Sequence, residues 1–446
     1  MRIPDRQHQQ SPAESDEGLR SVPKKSRLRR DCHGAGSQFG EWVVSVSAPT
    51  LKGALAPPWP CGFSSASVSA GIKSSGSLDL SLLRMPNGAA AAAMFTTNQF
   101  AAAPILASRR NLLDSHGRCF ALLINSGCAN AATGDAGLAD AHAIIDAVAQ
   151  TCGCSAATVL TNSTGIIGKR LPIDRVLHAI PSLAATCCEG SCGAFAHGIM
   201  TTDTHAKMAS RTVHAESGGT IRVTGVAKGA GMIHPNMATM ISVIATDADV
   251  QPRTLDEMLR HAVEYSFHRI SIDGDTSTND SVFALASGLA GKPNSLADLQ
   301  RAIDEVADEL SRMIVHDGEG FTRAIEVQVH GAASDKDALL LARTVATSTL
   351  VRCAITGGDP NWGRIVAAAG RSGAALDPDR LSVQAGGLPL FANGRPCEVD
   401  ASAVKNAFAE SKVIIELDVG LGTSSEFFLS SGLTESYVRL NSEYST

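Results

Sequence analysis

The sequence predicts a layered α/β fold of the α+β kind, in which helices pack on mixed β-sheets. Short buried runs such as residues 120–124 have the length of core strands. Amphipathic helical segments such as residues 295–314 separate these runs. Residues 323–329 alternate between apolar and polar side chains, as a half-buried strand does. Helices and strands that alternate along one chain are typical of layered α/β proteins.

The composition supports a large core and argues against several classes of function. Of 446 residues, 44% are hydrophobic and only 4% are aromatic, and the net charge is -6. A negatively charged chain is unsuited to bind the phosphates of a nucleic acid. A chain with so few aromatic side chains is also unsuited to stack against its bases. No apolar run reaches the length of about 18 residues that a membrane span needs. We therefore expect no nucleic-acid partner and no membrane partner.

The 11 cysteines do not form paired Cys-x-x-Cys sets. A zinc ribbon is therefore not expected, and we predict no metal site. Scattered cysteines in an alanine-rich chain are typical of reduced, small core residues.

Residues 1–55 differ from the rest of the chain. They lack apolar periodicity, and Lys24–Arg30 form a basic run among Gln, Pro and Ser residues. This composition predicts a disordered extension. Its arginines and serines leave a mitochondrial transit peptide open, although acidic residues such as Asp5 and Glu17 are unusual in one. We expect a cytoplasmic protein, with the mitochondrial matrix as the alternative.

In the first half of the folded sequence, strands precede and follow a long helix. Residues 78–84 and 89–97 are predicted to form two strands, and residues 120–124 a third. The polar loop 125–134 opens a helix, because apolar residues recur at helical spacing from 138 to 148.

A strand beginning near residue 159 leads into the turn Ser163-Thr164-Gly165. Backbone N–H groups in such a turn can donate to an oxyanion, and a threonine hydroxyl can join them. Turns of this composition are also common as purely structural features. The residues of the turn alone leave both interpretations open.

The second half of the chain continues the alternation. Thr254 and Glu257 match a capping box, which predicts that a helix begins there. The polar loop 273–280 resembles a calcium loop at first, but its glycine and glutamate do not fit that pattern. We expect it to be a turn that positions a buried threonine or asparagine. Residues 413–419 are a last strong strand, and the C-terminus at 441–446 is polar.

Thr239 follows a glycine-rich approach and precedes the apolar run 240–245. A threonine hydroxyl needs a base within hydrogen-bond reach, and a free α-amine titrates near neutral pH. Cleavage before Thr239 would place both groups on one residue. The small Ala238 and the flexible Gly229 and Gly231 favour such a cut. The alternative is a glycine turn before a core strand, in which Thr239 is an ordinary buried hydroxyl.

Short motifs in fixed order carry a resemblance to a known family. They are Phe95–Asn98, Asn125–Ala131, Ser163–Gly165, Thr201–Thr204, Lys228–Met240, Asp273–Asp280, Asp317–Gly320, Asp359–Arg364 and Asn441–Thr446. From about residue 60 to its end, the chain resembles the bifunctional ornithine acetyltransferase / N-acetylglutamate synthases of arginine biosynthesis.

The resemblance implies an αββα-type sandwich with a smaller C-terminal α/β region. It also implies self-cleavage between Ala238 and Thr239. The products would be an α chain, residues 56–238, and a β chain, residues 239–446. These would stay together and assemble into an α2β2 heterotetramer.

The same resemblance implies the chemistry. Thr239 would take the acetyl group from N2-acetylornithine and pass it to L-glutamate, with acetyl-CoA as a possible second donor. No cofactor and no metal would be needed. Thr164 and Gly165 match the oxyanion-hole pair of the family. The residues that match its substrate contacts are Thr202, Lys228, Thr239, Glu319, Asn441 and Thr446.

Two other functions fit the same residues. A self-cleaving amidase or aminopeptidase would use the same nucleophile but pass the acyl group to water. A non-catalytic binding protein for small molecules would keep the loops without cleaving itself. An amidase or aminopeptidase would release ornithine without glutamate, whereas acetyl transfer requires glutamate. A binding protein that does not cleave itself would show the intact mass of the uncut chain.

Overall fold

The computed structural model describes residues 55–234 and 240–443. The predicted extension, apart from residue 55, lies outside these ranges. So do three predicted site residues, Ala238, Thr239 and Thr446.

Fifteen strands and eleven α-helices make up the described chain. The strands are β1 Ser64–Val68, β2 Leu80–Phe95, β3 Arg118–Cys128, β4 Val159–Ile166, β5 Lys207–His214, β6 Thr220–Lys228, β7 Ile241–Ala248, β8 Ile270–Ser271, β9 Ser281–Gly291, β10 Ala324–Ala332, β11 Ser382–Ala385, β12 Leu388–Ala392, β13 Arg395–Pro396, β14 Lys412–Asp418 and β15 Ser424–Ser431. The helices are α1 Ala103–Asp114, α2 Gly134–Cys152, α3 Ile173–Ala185, α4 Gly193–Gly198, α5 Pro252–Glu264, α6 Leu296–His316, α7 Asp335–Ala346, α8 Thr349–Gly357, α9 Trp362–Gly370, α10 Ala401–Ala407 and α11 Glu435–Glu443.

The first sheet has eight strands in the order β4-β3-β2-β9-β7-β6-β5, with β1 paired to β2. β2 is one long strand where the sequence predicts two. Its pairing with β3 is irregular between Arg84 and Ala89. Pro86 lies in this interval and cannot donate a ladder hydrogen bond, and Gly88 has a φ of 75°. The chain therefore bulges there and continues instead of ending.

Both faces of the first sheet are covered, which explains its continuous apolar strands. All eight residues of β7 are buried. Side chains alternate between faces along a strand, so Ile244 packs with α5 and α6 while Val243 packs with Phe195 of α4. A third cluster packs α2 and α3 on β3 and the start of β2. Gly225 allows α6 to approach, because a Cβ there would lie 2.5 Å from Val306 Cγ1.

One predicted helix start is wrong. α5 begins at Pro252, with Gln251 as its N-cap, and not at the predicted capping box of Thr254 and Glu257. Proline is favoured in the first helical turn because its fixed φ suits the helix and its missing N–H costs nothing there. By contrast, α6 begins as predicted, with the Ser295 side chain accepting from the N–H of Asp298.

The second sheet has the order β13-β12-β11-β14-β10-β15-β8 and forms the C-terminal α/β region. Its centre is β10, which is parallel to β14 and antiparallel to β15. Apolar residues of β10 and β14 pack against helices α7, α8 and α9. The predicted layered α/β fold with a C-terminal α/β region is confirmed.

Residues on either side of the predicted cleavage site share one sheet. β7 and β9 follow Thr239 in sequence, yet they lie between β2 and β6, which precede it. β7 is antiparallel to β6, with Lys228 paired to Ile241. This interleaving gives a physical reason why two fragments would remain associated, since separating them would break the ladders on both sides.

In the described ranges, no single helix is long and apolar enough to cross a membrane. Helices α7 and α8, which are bent relative to each other, reach the length and apolar composition of a membrane span only when the two are taken together.

Candidate active site

The candidate site is a cavity of about 120 Å³ beside the start of β7. Its walls come from strand ends, loops and a helix that lie far apart in the sequence. The residues that line it are Ala129, Thr164, Gly165, Ile167, Thr201, Thr202, Lys228, Gly231, Met232, Asp273, Asp275, Ser277, Asn279, Glu319, Tyr437 and Asn441. Six predicted site residues are among them: Thr164, Gly165, Thr202, Lys228, Glu319 and Asn441.

Thr164 and Gly165 lie near the end of β4, where its pairing with β3 becomes irregular. Gly165 has a φ of 130°, a conformation that favours glycine. A Cβ on it would also collide with the backbone of β3, lying 2.5 Å from the Cys128 nitrogen. Only glycine fits this close approach. The turn thereby presents backbone to the cavity without a side chain in front of it.

Asn279 holds the surrounding loops together. Its Nδ2 donates to the carbonyls of Ala129 at 2.7 Å and Ser163 at 2.8 Å. Asn162 Nδ2 donates in turn to the carbonyl of Asn279 at 3.1 Å. Asn279 is buried, so the expectation that the loop 273–280 positions a buried threonine or asparagine is confirmed. Its contact with the Ser163-Thr164-Gly165 turn could not be predicted, because these residues are far apart in sequence.

Lys228 is the buried cation of the site. Its Nζ donates to Thr164 Oγ1 at 3.3 Å, so the lysine lies directly against the turn of Thr164 and Gly165. Burial lowers its pKa, while the carboxylates of Asp203, Asp280 and Glu319 act in the opposite sense. A lysine held in this way can bind an anionic group at short range, since there is little water to compete.

Asp280 holds the first described residue after the predicted cleavage site. Its Oδ1 accepts a hydrogen bond from the N–H of Met240 at 3.0 Å. Burial raises the pKa of Asp280 well above its usual value, against the Met240 N–H and the charge of Lys228. Residue 280 belonged to the polar loop in the sequence, but nothing there indicated which of its carboxylates would be buried.

Glu319 and Asn441 form another part of the cavity wall. Asn441 Nδ2 donates to Glu319 Oε2 at 2.9 Å, and the Glu319 N–H donates to the carbonyl of Ala230 at 2.8 Å. Gly231 makes room for this carboxylate, because a Cβ there would lie 2.6 Å from Glu319 Oε2. The cavity therefore has a cation at one wall and a carboxylate at another, which suits a ligand that carries both charges.

Asp273 shapes the glycine-rich approach to residue 239. Its carboxylate accepts from the N–H groups of Met232 at 2.5 Å and Ile233 at 2.9 Å. Burial raises the pKa of Asp273, against these N–H groups. Asp273 lines the cavity, but its carboxylate oxygens accept hydrogen bonds from these main-chain N–H groups. Neither its contact with the loop nor its place in the cavity was predicted.

A larger cavity of about 540 Å³ adjoins the first one. Thr202, Glu319 and Asn441 line both. His316, Phe321 and Leu440 give the larger space a partly apolar wall. Three of the predicted substrate contacts therefore lie where the two cavities meet, with room for a larger group beyond them.

Residues 64–446 match the model of the ArgJ family. The chain belongs to the ArgJ family. It is 44% identical over 389 residues to the arginine biosynthesis bifunctional protein ArgJ of Nitratidesulfovibrio vulgaris, covering 86% of this chain and 98% of that protein. The protein of the same name from Rhodopirellula baltica is 43% identical over 397 residues, covering 87% of this chain and 96% of its own.

Two solved structures are similar to parts of this chain. The arginine biosynthesis bifunctional protein from Bacillus halodurans is 34% identical with a TM-score of 0.44, covering 45% of this chain and 98% of that one. The ornithine acetyltransferase of Mycobacterium tuberculosis, solved with ornithine, is 43% identical with a TM-score of 0.36, covering 40% of this chain and 92% of that one.

Proposed function

We propose that this ArgJ protein transfers an acetyl group from N2-acetylornithine to L-glutamate through an acetyl-threonine at Thr239. One observation carries the proposal most strongly: Thr164, Gly165, Lys228 and Glu319 line a single cavity beside the start of β7. Family membership supports the same reaction, because the curated relatives are named for arginine biosynthesis.

Self-cleavage comes first. The Thr239 hydroxyl attacks the carbonyl of Ala238, the C–N bond between the two residues breaks, and the hydroxyl proton moves to the nitrogen. Water then hydrolyses the resulting ester, which leaves a carboxylate on Ala238 and a free hydroxyl and α-amine on Thr239. That amine has a pKa near neutrality and serves as the base for its own hydroxyl. The fragments 56–238 and 239–446 stay together through the interleaved strands of the first sheet.

Acetyl transfer then proceeds in two halves. The Thr239 hydroxyl adds to the acetyl carbonyl of N2-acetylornithine, and its proton passes to the α-amine. Thr164 and Gly165 stabilise the oxyanion. The amide C–N bond breaks, and the proton leaves with ornithine. The glutamate amine attacks the acetyl ester, and the C–O bond to Thr239 breaks. The proton lost by the amine passes through the α-amine of Thr239 to its side-chain oxygen, which forms N-acetylglutamate and restores the free hydroxyl. This sequence gives ping-pong kinetics.

Charge complementarity orients the donor. Lys228 binds the α-carboxylate of N2-acetylornithine, and Glu319 binds its distal ammonium, with Asn441 holding the Glu319 side chain. Thr202 and Thr446 complete the contacts. Glutamate has an α-carboxylate as well, so Lys228 serves both substrates, whereas Glu319 discriminates in favour of the cationic one.

Three further features belong to the proposal. Acetyl-CoA is a second acetyl donor that makes N-acetylglutamate directly, and no other cofactor is required. The two chains assemble as an α2β2 heterotetramer. The enzyme works in the cytoplasm.

Ornithine release from N2-acetylornithine, measured with and without glutamate, tests the reaction. Acetyl transfer predicts that release beyond one equivalent per active site requires glutamate. Sustained release without glutamate would instead identify an amidase. A second assay with acetyl-CoA and glutamate tests the additional donor, and formation of N-acetylglutamate is the expected result.

A further inference from the structure

A buried chain of charged side chains lies behind Lys228. At its centre is Asp203, in the loop between α4 and β5. Its Oδ1 accepts from Lys207 Nζ at 2.7 Å and from the Gly229 N–H at 2.6 Å. Its Oδ2 accepts from the Thr201 N–H at 2.9 Å. Asp203 therefore holds the main chain at the residue that directly follows Lys228.

Lys207 links Asp203 to a second carboxylate. Its Nζ also donates to Asp317 Oδ2 at 2.5 Å, and Asp317 accepts from the N–H and the hydroxyl of Thr204. The side chains of Lys207 and Asp203 are 0% exposed and that of Asp317 is 2% exposed. Solvent screens such charges little, so they act strongly on one another and on Lys228.

Five charged or titratable groups from different elements act on the Lys228 ammonium. Three carboxylates favour its charged form, and two lysines oppose it. The carboxylates are Asp203, Asp280 and Glu319, and the lysines are Lys207 and Lys73. The reciprocal effect is large at Asp203: burial would raise its pKa, but the charges of Lys207 and Lys228 outweigh burial and hold it well below its usual range.

We propose that Asp203 and Lys207 are positioning residues that set the charge of Lys228. Asp203 fixes the backbone beside Lys228, and its negative charge keeps the Lys228 ammonium protonated. Lys207 holds Asp203 in place, and its positive charge partly offsets the effect of Asp203 on Lys228. The inference rests on the proposed function, in which Lys228 binds the substrate carboxylate. It adds two residues that line neither of the two described cavities.

The two residues have opposite electrostatic effects, so their removal has opposite expected results. Asp203→Asn keeps the shape of the side chain but removes a negative charge, so Lys228 loses its proton at lower pH. Lys207→Gln removes a positive charge, so Lys228 keeps its proton to higher pH. A purely structural role would not produce shifts of opposite sign.

The alkaline limb of kcat/KM for N2-acetylornithine against pH is the main measurement. We expect Asp203→Asn to shift that limb to lower pH by about one pH unit, and Lys207→Gln to shift it to higher pH. Asp247→Asn is the matched control: Asp247 is a buried carboxylate in β7 and, like Asp203, accepts from main-chain N–H groups, those of Cys61 at 3.0 Å and Arg222 at 2.7 Å. Its profile should match the wild type. Unshifted limbs in both variants, or shifts in the same direction, would overturn the proposal.

A second measurement does not depend on turnover or self-cleavage. Competitive acetylation with acetic anhydride at several pH values, followed by peptide mass spectrometry, reports the protonation of Lys228 in any folded variant. The same opposite shifts are expected, and equal titration in all variants contradicts the inference. If the wild type shows no glutamate-dependent ornithine release, the proposed function fails, while the labelling still decides whether Asp203 and Lys207 control Lys228.

Discussion

Replacing Gly165 by alanine should remove most of the activity, for a reason visible in the backbone. The new Cβ would lie 2.5 Å from the Cys128 nitrogen and 2.7 Å from the Gly127 Cα. Ordinary contact begins at 3.4 Å, so the turn must move by at least 0.9 Å (3.4 Å minus 2.5 Å) to clear the Cys128 nitrogen, and the Gly127 carbonyl carbon is nearer still. The clashing atoms belong to the main chain of β3 and cannot rotate away.

The size of the effect follows from this shift. A misplacement of about 1 Å can cost on the order of 100-fold in rate. Loss of one oxyanion donor costs about 2.7–4 kcal/mol in transition-state stabilisation, which is roughly 100- to 1000-fold in kcat. The φ of 130° adds backbone strain of about 1–3 kcal/mol to the folded state. We therefore expect kcat to fall by about 100-fold or more and the melting temperature to drop.

Steady-state ornithine release is the assay, after a thermal melt has shown that the variant is folded. Gly168→Ala is the control, because Gly168 also has a positive φ, 77°, but has no atom within 4 Å of the position of the new Cβ. It carries the backbone strain without the collision. If Gly165→Ala and Gly168→Ala have equal kcat, the assignment of Gly165 to the oxyanion hole is refuted.

The remaining predictions concern the cavity and the buried charges. Asn279→Ala removes a side-chain donor from the buried carbonyls of Ala129 and Ser163, so the free energy of unfolding should fall by about 1–3 kcal/mol in urea titrations; an unchanged value would contradict this role. Glu319→Gln should raise KM for N2-acetylornithine about tenfold or more, with a smaller change for glutamate, because only the first carries a distal cation; equal changes would argue against that contact. Asp203 has a pKa below that of the unfolded chain, so its stabilisation is present above about pH 4 and is lost as the pH falls. The urea midpoint of Asp203→Asn should therefore fall less between about pH 5 and about pH 3 than that of the wild type, and parallel curves would oppose this reasoning.

Motifs and periodicity predicted much of the fold, and several residues named from the motifs line the candidate cavity. Local patterns of apolar residues can be recognised in a single sequence. Such patterns predicted the buried run before Asn125, the helix beginning after Ser295 and the strand at 323–329. Lys228 and Glu319 were found because they lie in motifs that a whole family shares. Their closeness in space could not be read from either motif alone.

The missed features depend on long-range contacts or on competition between local signals. Asp203 and Asp280 look like ordinary turn carboxylates in the sequence, and only the packing of distant strands buries them. Helix α5 begins at Pro252 and not at the predicted capping box of Thr254, two residues later. The bulge near Gly88 joined two predicted strands into one, because a proline and a glycine can interrupt pairing without ending a strand.

Intact mass measurement of the purified protein during turnover tests the central proposal most directly. We expect two fragments, the second beginning at Thr239, and a gain of one acetyl group on that second fragment after exposure to N2-acetylornithine. Glutamate should remove the acetyl group, and Thr239→Ala should abolish both the cleavage and the acetylation. A full-length, uncut chain with wild-type turnover, or an acetyl group on another residue, would contradict the account.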